Sequence, residues 1–381
     1  MLNKVPLSIY IHLPWCIHKC PYCDFNSHEV NQVHFDDEKK HYVHALIKQI
    51  KSSNDDRPIK SVFFGGGTPS LFNPHYIQEI IDTLKSQFNF ETNCEISLEA
   101  NPGTIDYKHF EGFAKAGVNR VSLGIQSFND DHLKKLERIH DGQTAYQIAQ
   151  DATKIFNRVN LDLMFGLPHQ THKELMNDLE RALSLKTQHL SYYNLTIEPN
   201  TLFYKYPPKL PEDDLIFEFQ SSIHQILKGG GFNHYETSAY AKTDEQCLHN
   251  LNYWQFGDYL GFGAGAHGKL TKSNMVFRYS CYKNPKQYMN ESEKHNFFIE
   301  EKKLSQNDLI FEFMMNALRL NDGFKKKLFF DRTNIELQEI ENELNIAQDK
   351  GHIEVTNDMI KPTLQGQNYL NDLLQIFLKD H

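Results

Sequence analysis

Between Leu7 and Leu195, short runs rich in β-branched and aromatic residues alternate with longer stretches whose apolar positions recur at helical spacing. The runs are Leu7–Ile11, Ile59–Phe64, Glu95–Ala100, Arg120–Gly124, Asn160–Met164 and His189–Leu195. The amphipathic stretches include Phe35–Ser52, Pro74–Phe88, Ile105–Ala116, Thr144–Phe156 and His172–Leu185. Strands alternating with helices in this way predict βα units around a parallel sheet, as a partial barrel or an open doubly wound sheet. Periodicity does not choose between the two. The loops do, because the chemically distinctive residues fall at the ends of the strand-like runs, the edge at which sites assemble in parallel barrels. The expected fold class is therefore α/β, a partial (β/α)6 parallel barrel over residues 1–200.

Residues 201–299 are less regular: a Pro-rich stretch at Tyr206–Pro211, a helix at Asp213–Lys228, a strand at Phe232–Ala241 and a Gly-rich loop, GDYLGFGAGAHG. They are expected to extend the sheet. Residues 300–381 predict helices near Gln306–Leu320, Thr333–Lys350 and Gly366–Leu378 around short runs at His352–Thr356 and Met359–Thr363, a C-terminal winged-helix-like α+β module.

A chain of 381 residues exceeds the usual single domain, and 40% hydrophobic with 23% charged residues is a globular composition. No run approaches the roughly 18 apolar residues of a membrane span, so no transmembrane segment is expected. The start, MLNKVPLSIYIHLPWC, enters a strand directly and predicts a cytoplasmic protein. A net charge of −9 disfavours a nucleic-acid partner. The acidic Glu336, Glu339, Glu341 and Glu343 offset the lysines of the C-terminal module, which suggests cover or protein docking there, not DNA reading.

Three of the six cysteines fall within eight residues, in CIHKCPYC, which predicts a metal or cluster site in a reducing compartment and no disulfide framework. Three thiolates can hold three irons of a cubane and leave one open, whereas a closed zinc site needs a fourth ligand such as His12, His18 or His28. Downstream, FGGGTP (Phe64–Pro69) has glycines whose free backbone groups can approach and hold an amino acid's polar end. Glu99 in EANP, Gln126 in GIQSF, Arg138 in LERIH and Asp162 in DLMFGLP lie at or after successive strand ends. A carboxylate there can pair with an ammonium or a ribose diol, and an Arg with a carboxylate.

CxxxCxxC with an aromatic before its third Cys resembles the radical S-adenosylmethionine (SAM) superfamily, and the EANP, GIQSF and DLxxGLP strings resemble its coproporphyrinogen oxidase-like branch. The resemblance spans nearly the whole chain. It implies a [4Fe–4S] cluster on Cys16, Cys20 and Cys23, with SAM chelating the open iron. It further implies SAM contacts from Tyr22, Gly66, Gly67, Thr68, Glu99, Gln126, Arg138 and Asp162, and Tyr10 near the cluster. One electron from such a cluster breaks the sulfonium bond of SAM to give a 5′-deoxyadenosyl radical.

The branch's oxidative decarboxylases carry a further Cys two residues after the third and a long segment ahead of the barrel. Here the further position is Phe25, and the first strand begins near residue 7. The chain is more similar to the HemW branch of heme chaperones, which share an HNxxYW string. His249-Asn250-Leu251-Asn252-Tyr253-Trp254 matches it, with an imidazole suited to heme iron and two rings suited to the macrocycle. The resemblance implies heme contacts from His249, Tyr253 and Trp254, and delivery of heme to a respiratory acceptor protein. The alternative is an oxygen-independent coproporphyrinogen III dehydrogenase. Of the remaining candidates, His267 is expected to be structural or near the SAM adenine, and Cys94, Cys247 and Cys281 to be packing residues.

Overall fold

In the computed structural model, which describes residues 5–30, 35–105 and 107–379, the apolar runs become strands whose side chains are covered on both faces. β1 (Leu7–Leu13) buries Leu7, Ile9, Ile11 and Leu13 completely. This is the pattern of a parallel strand with helices on one side and a barrel interior on the other. β2 (Ile59–Gly66), β3 (Phe90–Ala100), β4 (Arg120–Gln126), β5 (Arg158–Phe165) and β6 (His189–Asn194) follow, each parallel to the one before. Helices α1 (Phe35–Lys51), α2 (Pro74–Gln87), α3 (Tyr107–Ala116), α4 (Gly142–Ile155) and α5 (His172–Ser184) connect them.

Local chemistry sets the helix starts. The Asn73 side chain accepts from the His75 N–H ahead of a Pro in the first turn of α2, Asp141 accepts from the Thr144 N–H of α4, and Thr171 with Glu174 closes a capping box on α5. Residues 1–4, 31–34, Asp106 and 380–381 lie outside the described residues, among them the second residue of the Ile105–Ala116 expectation and the MLNK start.

The chain then adds strands to both edges. After α6 (Asp213–Gly229), β7 (Asn233–Glu236) and β8 (Ala239–Ala241) form an antiparallel pair on β6, where a single strand over Phe232–Ala241 was expected; the turn at Thr237–Ser238 folds it back. The HNLNYW string is helical, α7 (Leu248–Trp254). The Gly-rich GDYLGFGAGAHG is not a loop throughout. Its first half is β9 (Asp258–Phe262), parallel to β1, and its end opens β10 (His267–Lys272), followed by β11 (Met275–Cys281) and β12 (Phe298–Lys303). The order β12-β11-β10-β9-β1-β2-β3-β4-β5-β6-β8-β7 is a 12-stranded sheet that does not close on itself among the described residues, a partial barrel.

The C-terminal module packs a separate core, with Phe313, Phe329, Ile340 and Ile360 fully buried, beneath a three-stranded sheet of Phe324–Lys325, Met359–Pro362 and Ile353–Val355. The expected helix over Thr333–Lys350 is interrupted. One helix ends at Thr333, Asn334 takes a left-handed φ of 57°, and the next helix begins at Glu341. No helix among the described residues is long and apolar enough to cross a membrane.

A buried charge cluster fixes β9 beside β1. Asp258, fully buried, accepts from Lys269 Nζ at 2.8 Å, Arg57 Nη1 at 2.7 Å and the Thr271 N–H at 2.8 Å. Burial alone raises a carboxyl; here Lys269 and Arg57 outweigh it and hold Asp258 below the usual carboxylate range. Burial likewise pulls the Lys269 ammonium down to about 8, against the pull of Asp258. Asp258→Ala leaves Lys269 buried without a counter-charge, and chemical denaturation of the variant is expected to show a loss of about 3–5 kcal/mol. A loss below about 1 kcal/mol contradicts this role.

Candidate cofactor site

The cysteine loop leaves β1 at the carboxyl edge of the parallel sheet and is held by its neighbours more than by its own structure. Within it, Trp15–Cys16 pairs with His28–Glu29, the Cys23 N–H donates to the Cys20 carbonyl at 3.1 Å, and Lys19 Nζ donates to the Phe25 and Ser27 carbonyls. From outside, Asn26 Nδ2 donates to the carbonyl of Ala264 at 3.1 Å, in the β9–β10 turn, and to that of Lys283 at 2.9 Å, just past β11. The Tyr42 hydroxyl ties the end of β1 to the same turn, donating to the His12 carbonyl and accepting from the Ala264 N–H. The glycines after β2 permit contact on the other side. A Cβ on Gly66, whose φ is +113°, would fall 2.5 Å from the His12 ring, and one on Gly67 would fall 2.5 Å from the Trp15 carbonyl oxygen.

Cys16, Cys20 and Cys23 are free, half-buried thiols that line one cavity of about 350 Å³. The same cavity takes Tyr22, Gly66, Gly67 and Thr68 from the loops after β1 and β2, Glu99 and Gln126 from the ends of β3 and β4, and Arg138 and Asp162. Thr68 Oγ1 donates to Cys16 Sγ at 3.5 Å and Arg138 Nη1 to Cys20 Sγ at 3.4 Å. Burial pushes the Cys16 and Cys23 thiols up, against hydrogen bonds that favour the thiolate.

These residues fit a cubane better than a closed zinc site. Among the described residues, no three His, Cys, Asp or Glu side chains converge on a single ion, whereas a cubane meets each thiolate with a different iron. Two of the histidines named as a fourth zinc ligand are engaged elsewhere: His12 with Tyr10 and the Asn26 carbonyl, His18 with Glu29 and Glu137.

Around the thiols the polar groups are prearranged. Burial, with Asp162 nearby, pushes Glu99 up to about 8, although the Gly66 N–H donates to it at 3.2 Å. The glycine loop differs from the sequence expectation. The N–H groups of Gly66, Gly67 and Thr68 already bond Glu99, Leu13 and Trp15, so they are not free for a ligand. Gln126, at φ +69°, accepts from the Tyr193 hydroxyl at 2.8 Å. A Cβ on Gly124 would crowd both Gln126 Nε2 and Arg138 Nη2, so that glycine lets the two side chains meet. Asp162 accepts from Ser122 and Asn160. Sequence reasoning missed Tyr193, Met164 and Asn101, which also line the cavity; their signal was position alone, at or just past strand ends.

Four predicted site residues lie outside this cavity. Tyr10 lines two neighbouring cavities, of about 210 and 730 Å³, with its hydroxyl on His12 Nδ1 at 3.0 Å. His249 lines the smaller, and Tyr253 lines both. The expectation of His249 as an open heme ligand meets a different geometry. The ring is 1% exposed, with Nδ1 bonded to Ser61 Oγ and Nε2 to the Tyr253 hydroxyl, each at 3.0 Å. Burial, then Arg120, pulls its pKa down to about 3. Trp254 is not brought to any of these cavities. One helical step past Tyr253, it stacks under the Arg319 guanidinium at 4.5 Å, toward the C-terminal module. His267 is not beside the cysteine cavity either; it lines the 730 Å³ one.

The radical SAM superfamily model matches residues 10–182, and the HemN C-terminal domain model matches residues 304–368. The chain is 44% identical to the heme chaperone HemW of Haemophilus influenzae over 98% of both chains. It is 41% identical to the heme chaperone HemW of Escherichia coli over the whole of both, and 32% identical to that of Bacillus subtilis over 97% of this chain and 99% of the relative. The fold is that of the Escherichia coli coproporphyrinogen III oxidase HemN, a radical SAM enzyme, with a TM-score of 0.83 at 23% identity over 99% of this chain and 91% of that one. Cluster loop, open parallel sheet and C-terminal module together make this chain a member of the HemW family of the radical SAM superfamily.

Proposed function

We propose that this chain is a heme chaperone that holds a [4Fe–4S] cluster and SAM in the cysteine cavity, binds heme in the cavity next to it, and passes the heme to a respiratory acceptor protein. The observation that carries the reading is a shared wall. Lys19, Asp24, Phe25, Ser27, Gly66 and Glu99 line both the cysteine cavity and the 730 Å³ cavity beside it, so cofactor and cargo sites are contiguous. The names of the relatives, heme chaperones over the full length of this chain, support the cargo.

Each side chain then has a task that its position allows. Cys16, Cys20 and Cys23 hold three irons and leave the fourth for the amino and carboxylate groups of SAM. An ammonium only donates, so in this cavity it is received by carbonyl oxygens of the glycine loop and by Glu99. The buried carboxyl of Glu99 becomes ionised when such a cation arrives, since an opposite charge favours the charged form. Gln126 and Arg138, brought together over Gly124, present donors to the carboxylate or ribose. Asp162 receives a ribose hydroxyl beside Ser122, and Tyr22 contacts the adenine. When bound and reduced, the cluster supplies the electron for homolysis of the SAM sulfonium bond.

On the cargo side, Tyr253 presents its ring to the larger cavity, and His249, four residues earlier on the same helix face, holds the Tyr253 hydroxyl. His249 itself lines only the smaller cavity, with both ring nitrogens bonded. The decarboxylase alternative is disfavoured by Phe25, which is 61% exposed at the position where the decarboxylases carry a further Cys.

Anaerobically reconstituted wild type is expected to carry about four iron and four sulfide per chain, and Cys16→Ser, Cys20→Ser or Cys23→Ser each to lose most of both, read by metal and sulfide analysis. Retention of the full complement in all of the variants contradicts the assignment. Glu99→Gln is expected to weaken SAM binding about tenfold, measured by calorimetry on cluster-loaded protein, because it removes a charge-assisted bond to the ammonium. With SAM, a reductant and coproporphyrinogen III, no protoporphyrinogen is expected by chromatography. Its stoichiometric formation overturns the chaperone reading.

A further inference from the structure

We infer that heme sits in the 730 Å³ cavity with its iron on His267 and its propionates paired with Lys283 and Lys19. This rests on the reading of the chain as a heme-binding protein and adds where, and by which groups, the heme is held. The volume falls within the roughly 300–1,000 Å³ of ligand pockets, whereas the 210 Å³ cavity beside His249 falls below it.

The lining matches a flat, apolar dianion with a metal at its centre. Tyr253 and Tyr259 meet edge to face at 4.6 Å, and Phe25, unusually exposed for its size, forms another part of the wall. Both give ring surface for a macrocycle. The cations in the wall lack counter-charges. Lys283 is exposed, and among the described residues neither it nor Lys19 forms an ion pair; Lys19 donates only to two carbonyls. A carboxylate ligand supplies the missing partner. Of the acids in the wall, Asp24 is exposed, and Glu99 stands on the boundary with the cysteine cavity, where the charge of a bound ammonium offsets its own.

The wall also holds three imidazoles, and they are not equivalent. His12 has both nitrogens bonded, and His28 has a buried Nε2 with no partner among the described residues. His267 is exposed, without a hydrogen bond to either ring nitrogen among the described residues. Partial burial, Lys283 and Arg278 keep its pKa below the ordinary value, in the neutral form that binds iron. The turn that delivers it is built for the purpose. Gly263 and Gly265 take positive φ, and a Cβ on Gly265 would fall 2.2 Å from the Asn26 carboxamide that fastens this turn to the cysteine loop.

Anaerobic heme titration of the full-length, cluster-loaded protein, followed by Soret absorbance and EPR of the ferric iron, tests the assignment. Both substitutions are at exposed positions and leave the fold intact. His267→Ala is expected to weaken heme about tenfold or more and to change the spin state of the iron. Lys283→Glu is expected to weaken it roughly fivefold with the same spectrum, and to have no effect on the dimethyl ester of heme, which lacks the propionate charge. If the wild type binds no heme, the chaperone reading itself fails. If it binds and both variants match it, the location is wrong. A spectral change in His249→Ala or His28→Ala but not in His267→Ala overturns the iron ligand.

Discussion

A cubane with three protein thiolates keeps one iron open only if the three sulfurs are fixed by something other than a fourth ligand. In this protein the cysteine loop has little regular structure, so its shape is imposed from both sides. Gly66 and Gly67 let the strand-end backbone press on His12 and Trp15, and Asn26 and Tyr42 bind the loop and the end of β1 to the β9–β10 turn. The bonds of Asn26 and Tyr42 to Ala264 join residues more than 200 positions apart in sequence, and they need β9 to lie parallel beside β1. The buried Asp258–Lys269–Arg57 cluster keeps it there. Charge pairing at the amino end of β9 and cofactor geometry at its carboxyl end are thus two ends of one strand.

The same arrangement explains why cofactor and cargo cavities adjoin. The cysteine loop is thin: its residues Asp24, Phe25 and Ser27 line one cavity from one side and the other cavity from the other. Glu99, at the end of β3, stands between them with a carboxyl that burial holds in the neutral form near pH 7. The same carboxyl lines the 730 Å³ cavity as well as the cysteine cavity.

The alternating pattern up to Leu195 was legible because each strand is buried on both faces and each helix carries one apolar stripe, so local sequence and tertiary burial agree. The motif residues at strand ends were legible for the same reason: Cys16, Glu99, Gln126 and Asp162 converge because parallel strands end on one edge. Where glycine interrupts the pattern, the reading failed. Asp258–Phe262 passed for a loop because its closing glycines mask a strand whose burial comes from β1 and β10. The HNLNYW string offered three candidate heme contacts in a row, but a helix turns them to different faces. His249 and Tyr253 share one face and bond each other, and Trp254 points toward Arg319. That His249 is saturated by Ser61 depends on β2, nearly two hundred residues away, and no local signal carries it. His267 was seen, but its cavity is made by segments from four parts of the chain.

The central claim is that the three thiolates leave one iron corner vacant for SAM. Mössbauer spectroscopy of iron-57-reconstituted protein, with and without SAM, tests it most directly. The account predicts that SAM shifts a single iron subsite of the [4Fe–4S] cluster toward higher coordination while the other three are unchanged. A spectrum indifferent to saturating SAM, or one with no cubane at all, contradicts it.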